Sequence, residues 1–408
     1  MIIRKIKPEE LKRTNELFAI AFEYEMDNTK TAEQVYEDTT LNPKTREDYY
    51  WNDRWAAFED DDQTMMSYFI ANPYPVNFDS HHCTMFSIGG VATLPQYRRR
   101  GGIRACFEAA LPEMYDRGAA FSYLYPFSTA YYRKFGYEMC CENFGYQIKL
   151  SAFRSYPVEG SCSLVEPGHL MLNEIKTVYQ VWQNKYNLMV ENEDFEYAWV
   201  VNSNPAKSQV FTYVYKSNEG KPKAYVTFRK VEDATTQNIK CSNFFFTDIE
   251  GFQGLMNLLQ SCSSDHQNVS FELPTDQFIT PLFPEWSMGA GKCEKIFQGM
   301  VRVINVEQVL KMAKYKGDGT ITIQVSDAQI PQNNHTFLVN FKDDTALEVS
   351  ITEQPADISL GITDFSRLIV GTCDPSSIEF MESVQVNASL DKISKVFYRK
   401  PNHITENF

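Results

Sequence analysis

The stretch from Gly89 to Gly118, GGVATLPQYRRRGGIRACFEAALPEMYDRG, constrains the fold more than any other part of the chain. It reads as a strand, a tight basic turn and a helix. Ile88, Val91 and Thr93 suit a strand. Pro95, which has no N–H to give a ladder, ends it. Beyond Gly101 and Gly102, the residues Ile103, Cys106, Phe107, Ala110 and Leu111 recur at helical spacing. The turn between strand and helix holds Arg98, Arg99 and Arg100. Glycines at a helix start let backbone N–H groups approach an anion closely, and the helix dipole adds partial positive charge there. Arginines supply full charge at the same point. The stretch therefore reads as a phosphate cradle with pyrophosphate as its natural occupant. The P-loop spacing is absent.

The rest of the chain is acidic, with a net charge of −14, so the basic triplet is an island. That balance argues against a long nucleic-acid track and for attraction of cations. Nine cysteines are scattered and odd in number, without a CxxC pair, which argues against a disulfide framework and a zinc site. His81-His82 is the only histidine pair, and neighbours on a strand point to opposite faces, so no metal is expected. The N-terminus lacks a signal-peptide apolar core and no apolar run is long enough to span a membrane. The expected location is the cytoplasm.

With 408 residues, two or three domains are expected. Strands are read at Ile2–Ile6, Arg54–Phe58, Met65–Asn72 and Ala120–Tyr125, with a helix from Pro8 through Phe22. The composition changes near residue 149, where Ser, Pro and Gly become frequent. A strand-helix-strand order then repeats without an RRRGG turn, and a third region starts near residue 291, with Met300–Val303 as one of its strands.

The turn Arg98-x-x-Gly101-x-Ile103 resembles motif A of the GNAT acetyltransferases, matching two of its three positions. YYRKFGY, from Tyr131 to Tyr137, resembles the turn after the fifth strand of many such enzymes, and ITDFSRLIVG resembles the sterol-carrier-protein fold. The three-part order is similar to that of the Eis-like (enhanced intracellular survival) branch. The resemblance implies an α/β (α+β) architecture: an active GNAT domain over 1–148, a degenerate GNAT-like domain over 149–290, and a sterol-carrier-like domain over 291–408. It implies an acetyl-CoA-dependent N-acetyltransferase that assembles as a trimer or hexamer. By that pattern, the backbone at Val91 and Thr93 holds the pantetheine arm, and Arg98, Arg99, Gly101 and Gly102 hold the pyrophosphate. Tyr132 is the general acid, with Tyr131 as its rival. The α-carboxylate of Phe408 returns to the site as general base, with Glu406 as alternative.

For the acceptor, Phe22, Tyr24, Trp51 and Phe86 are candidate cation–π walls. With Glu25 and Asp27 they suggest a cationic amine: polyamine-like, aminoglycoside-like or lysine-like. Two other readings stand beside this one, an acyltransferase using a longer acyl-CoA and a lipid or CoA carrier without turnover.

Overall fold

The structure, a computed structural model, describes every residue except 24, 27–28, 41–52, 168–170, 195, 202–203, 233–235, 284–285, 287–288, 382 and 407–408. The chain forms two compact units. One comprises residues 1–141, 299–400 and 406–408; the other comprises 142–298 and 401–405.

The first unit contains a seven-stranded mixed sheet. Its order is β1 (Ile2–Lys5), β2 (Arg54–Phe58), β3 (Met65–Phe78), β4 (His81–Thr93), β5 (Ala119–Leu124), the strand Met300–Val303, and β6 (Glu138–Met139). The strands β1 to β4 are antiparallel, and β4 runs parallel to β5. Helix α1 (Leu11–Phe22) is followed by α2 (Ala32–Thr40), and α3 (Gly102–Asp116) connects β4 to β5. The periodicity read for α3 is the one it buries: Ile103, Cys106, Phe107, Ala110, Leu111 and Met114 face the sheet. Ile103, Phe107, Leu111 and Met114 each contribute roughly 1.5–3 kcal/mol when withdrawn from water. Phe107 stacks on Phe135 with ring centroids 4.3 Å apart, tying α3 to the segment beyond β5.

Two readings of the strands differ from the structure. β3 continues past Asn72 to Phe78 through Pro73 and Pro75. It pairs with β2 as far as Ile70, and beyond that no strand among the described residues pairs with its outer side, so a missing N–H there costs little. Met300–Val303 does not begin the third region's sheet. It pairs with Phe121–Leu124 of β5 on one side and with β6 on the other.

The second unit is built on a seven-stranded sheet in the order Gly291–Phe297, Glu142–Lys149, Asn268–Pro274, Gln237–Phe246, Pro222–Glu232, Val210–Lys216 and Ser161–Leu164. Hydrogen bonding thus passes to the second sheet at Glu142, and Gly291–Phe297 belongs to it as well. Helices Leu172–Lys185 and Ile249–Ser261 pack on it through Ile175, Val178, Tyr179 and Trp182 and through Phe252, Leu255, Met256 and Leu259. Residues 401–405 lie in this unit, where the buried ring of His403 bonds Asn143 at 3.1 Å and packs against Trp182 and Tyr186 at 5.6 and 5.9 Å.

A five-stranded sheet completes the first unit, in the order Thr345–Thr352, Thr336–Lys342, Gly319–Ser326, Ile358–Gly361 and Gln385–Val386. Helix Ile362–Ile369 covers it with Ile362, Phe365, Leu368 and Ile369, as its sequence suggests.

Candidate functional site

The site begins with a defect in β4. Across the β3–β4 ladder Tyr68 faces Ala92 and Ile70 faces Gly89, so Phe69 alone stands opposite Gly90 and Val91. This is a bulge, and it bends the strand and leaves backbone groups outside the ladder. Gly90 adopts φ +59°, and a Cβ there would lie 3.3 Å from Phe18 and 3.4 Å from the Tyr68 hydroxyl. Glycine meets both demands. Pairing with β5 ends at Ile88 opposite Leu124. From Gly89 to Thr93 the strand therefore has a neighbour on one side only among the described residues. The wedge beside it exposes main-chain donors and acceptors, and Val91 and Thr93 are half-buried along it.

The strand leads into Pro95–Tyr97, a single 3-10 turn, and then to Gly101, at φ +85°, which caps α3. Among the described residues no side chain caps the helix, and the N–H groups of Gly102, Ile103 and Arg104 have no hydrogen-bond partner. Gly102 sits hard against the sheet: a Cβ there would fall 2.4 Å from Ser67 Oγ and 3.2 Å from Ala57 Cβ. The three arginines are not equivalent. Arg100 is bound to Glu59 at 3.0 Å and lies over the Tyr97 ring. Arg98 and Arg99 are exposed and make no ion pair among the described residues. Three open N–H groups and two uncommitted guanidiniums meet at one helix start, which fits the pyrophosphate of an acyl-CoA.

Tyr132 lies on α4 (Thr129–Arg133), whose N-cap Ser128 accepts from the N–H of Tyr131. The Tyr132 side chain is almost fully buried, in the apolar cluster that also holds Ile88, Phe107, Phe135 and Tyr137 and that packs against Val91. Its hydroxyl has no hydrogen-bond partner among the described residues. Burial, and then the neighbouring Tyr131 and Tyr137, push its pKa above the ordinary tyrosine value. It is held protonated, as a general acid must be. Tyr131 is less buried. Exposed Phe127, which the sequence reading passed over, lies 5.4 Å from the Tyr132 ring.

The acceptor side is only partly assembled. Phe22 is exposed at the end of α1 and stacks on Phe18 at 4.4 Å. Phe18 in turn lies over Gly90, so the pair overlooks the bulge. Phe18 itself reads as an ordinary helix residue in the sequence. Glu25 is exposed beyond the helix. Phe86 is a correction: it is buried in the core of β4, with the Arg117 guanidinium 4.6 Å from its ring centre. It cannot wall a pocket. Tyr24, Asp27, Trp51 and Phe408 lie outside the described residues. Glu406 is described, and it belongs to the first unit. Tyr123 of β5 is pushed well above its ordinary pKa, chiefly by burial, with the Glu406 carboxylate among the smaller contributors. Among the described residues no cluster of three metal-binding side chains occurs, and no helix is long and apolar enough to cross a membrane.

Comparison with known proteins agrees with this geometry. Residues 2–140 match an acetyltransferase (GNAT) domain family, residues 188–303 a second acetyltransferase (GNAT) domain family, and residues 306–405 the sterol carrier protein domain family. A probable N-acyltransferase from Enterococcus faecalis is similar in structure over 100% of this chain and 99% of its own, with a TM-score of 0.84 at 22% identity. A GCN5-related N-acetyltransferase from Anabaena variabilis covers 100% of both chains, with a TM-score of 0.82 at 17% identity. Eis1 from Mycobacterium abscessus also covers 100% of both, with a TM-score of 0.78 at 16% identity. No curated protein sequence gives a match. The chain is thus built from two GNAT acetyltransferase domains followed by a sterol carrier protein domain, and it shares its fold with Eis1.

Proposed function

We propose that the protein transfers the acetyl group of acetyl-CoA to an amine of a cationic small molecule or lysine-like acceptor. The observation that carries this reading is the open start of α3, with free Arg98 and Arg99, beside the stretch of β4 that has left β5. The pyrophosphate takes the N–H groups at Gly102 and the two guanidiniums. The pantetheine arm lies along Val91 and Thr93, continuing the ladder where β5 stops.

The acceptor arrives as an ammonium, because alkyl amines have a reference pKa of about 10.4. A carboxylate of the final segment, Glu406 or the Phe408 α-carboxylate, takes its proton directly or through one water. The free amine attacks the thioester carbon, and a C–N bond forms. Backbone N–H groups at the bulge hold the oxyanion. As the C–S bond breaks, Tyr132 gives its proton to the sulfur, and CoA leaves as a thiol. The proton still on nitrogen restores the tyrosine. Glu25 and Asp27 attract the cationic acceptor, and Phe22 offers it a ring face. The reading includes a cytoplasmic homo-oligomer.

Tyr132→Phe tests the acid. A fall in kcat of about 100-fold, with KM for acetyl-CoA unchanged, is expected; unchanged turnover removes the role. Glu406→Gln tests the base in the same assay, and loss of activity at neutral pH with recovery at high pH is the expected result.

A further inference from the structure

A loop of the sterol-carrier-like domain supports the helix that carries Tyr132. Asp327 and Arg302 are both fully buried, and Arg302 Nη2 donates to the two oxygens of Asp327 at 2.8 and 2.7 Å. The same carboxylate accepts from the N–H of Gln329 at 3.0 Å, the N–H of Ile330 at 3.2 Å and Asn333 Nδ2 at 2.9 Å. Two of these donors shape the loop, and Arg302 comes from the first sheet. Its guanidinium fills the space beside Gly136: a Cβ on that glycine would fall 1.8 Å from Arg302 Nη1. Gln329 Nε2 donates to the carbonyl of Lys134 at 2.9 Å. Ile330 is buried in the same apolar cluster as Tyr132, Phe107 and Phe135.

Two of these contacts fall on Lys134 and Gly136, and Ile330 joins the apolar cluster that holds Tyr132 and Phe135. Helix α4 has five residues, too few to hold its shape without tertiary support. Arg302 Nε and Nη1 have no hydrogen-bond partner among the described residues. A buried ion pair with groups left unsatisfied adds little net stability, and its plausible return is a fixed geometry. We infer that Asp327, Gln329 and Ile330 are positioning residues for Tyr132, and that the sterol-carrier-like domain forms the wall on which α4 rests. The inference rests on the reading of Tyr132 as the general acid.

Asp327→Asn strands the Arg302 charge and is expected to unfold the protein, so the test uses Gln329→Ala and Ile330→Val in the full chain. Each is measured alone and with Tyr132→Phe, against acetyl-CoA and an amine acceptor, with Tm recorded. The expected result is a five- to tenfold lower kcat in each single variant, an unchanged KM for acetyl-CoA, and no further loss when either is added to Tyr132→Phe. Full turnover in Tyr132→Phe alone overturns the acid assignment and the inference with it. A slow Tyr132→Phe with unimpaired loop variants, or losses that multiply in the double variants, overturns the positioning and leaves the acid in place.

Discussion

The ammonium of Lys400 lies against the carboxylate of Asp79, and both side chains are withdrawn from solvent. Asp79 sits in the turn between β3 and β4, and Lys400 is the last residue of the first unit before the chain enters the second. Asp79 also accepts from the N–H of Lys314 at 2.7 Å. Removing one member of such a pair leaves the other charge buried alone, at a cost of about 3–5 kcal/mol. Lys400→Met and Asp79→Asn are each expected to lower the unfolding free energy read from urea titration by that amount. The double variant recovers most of the loss, as a double-mutant cycle reads directly.

His403 makes stability depend on pH. Burial lowers its pKa from 6.5 to about 3. The folded state therefore keeps the ring neutral while the unfolded chain takes up a proton below pH 6.5. The contribution is complete above that pH and is lost as pH falls toward 3. Between pH 7.5 and 5 it amounts to about 2 kcal/mol. Urea titrations of the wild type and His403→Gln over this range are expected to show a shallower decline in the variant; parallel declines refute the assignment.

Gly102 tests the cradle's fit to the sheet. Gly102→Ala places a methyl against Ser67 Oγ, so the start of α3 must move. A stability loss of about 1–3 kcal/mol is expected, with KM for acetyl-CoA raised about tenfold. Ser67→Ala removes the colliding oxygen and is expected to restore part of both.

Arg98 and Arg99 are predicted to separate from Arg100. Alanine at either of the first two is expected to raise KM for acetyl-CoA about tenfold and to weaken its dependence on salt, because a charge-assisted contact to phosphate is lost. Arg100→Ala, whose charge already answers Glu59, is expected to leave KM within twofold. Equal effects at all three positions would make the turn a diffuse positive field.

The parts of this architecture that local patterns encode were legible. The apolar face of α3 and the glycine turn before it are written in consecutive residues. So is β2, whose bounds, Arg54–Phe58, match the reading. What local pattern could not reveal was partnership. Met300–Val303 is an unremarkable apolar strand, and nothing in its composition says that it pairs with Phe121–Leu124 from far upstream. The strand read to Asn72 runs on to Phe78 through Pro73 and Pro75, because which side of a strand is paired is a property of the sheet. At the site, Arg98 and Arg99 stood out by type, whereas Gly90 and Phe18 became meaningful only when the bulge brought them together. Phe86 was misread because an aromatic residue on a strand has no mark to tell wall from core.

The insertion of Met300–Val303 between β5 and β6 bears on how the protein is made. A nascent chain emerges from its N-terminus, and domains as a rule fold in that order. Here the first sheet lacks an interior strand until about three hundred residues have been synthesised, and the edge of β5 stays open for that whole interval. The first GNAT sheet is thus completed late, and a fragment stopped at Cys141 would carry an unfilled slot where its neighbour strand belongs.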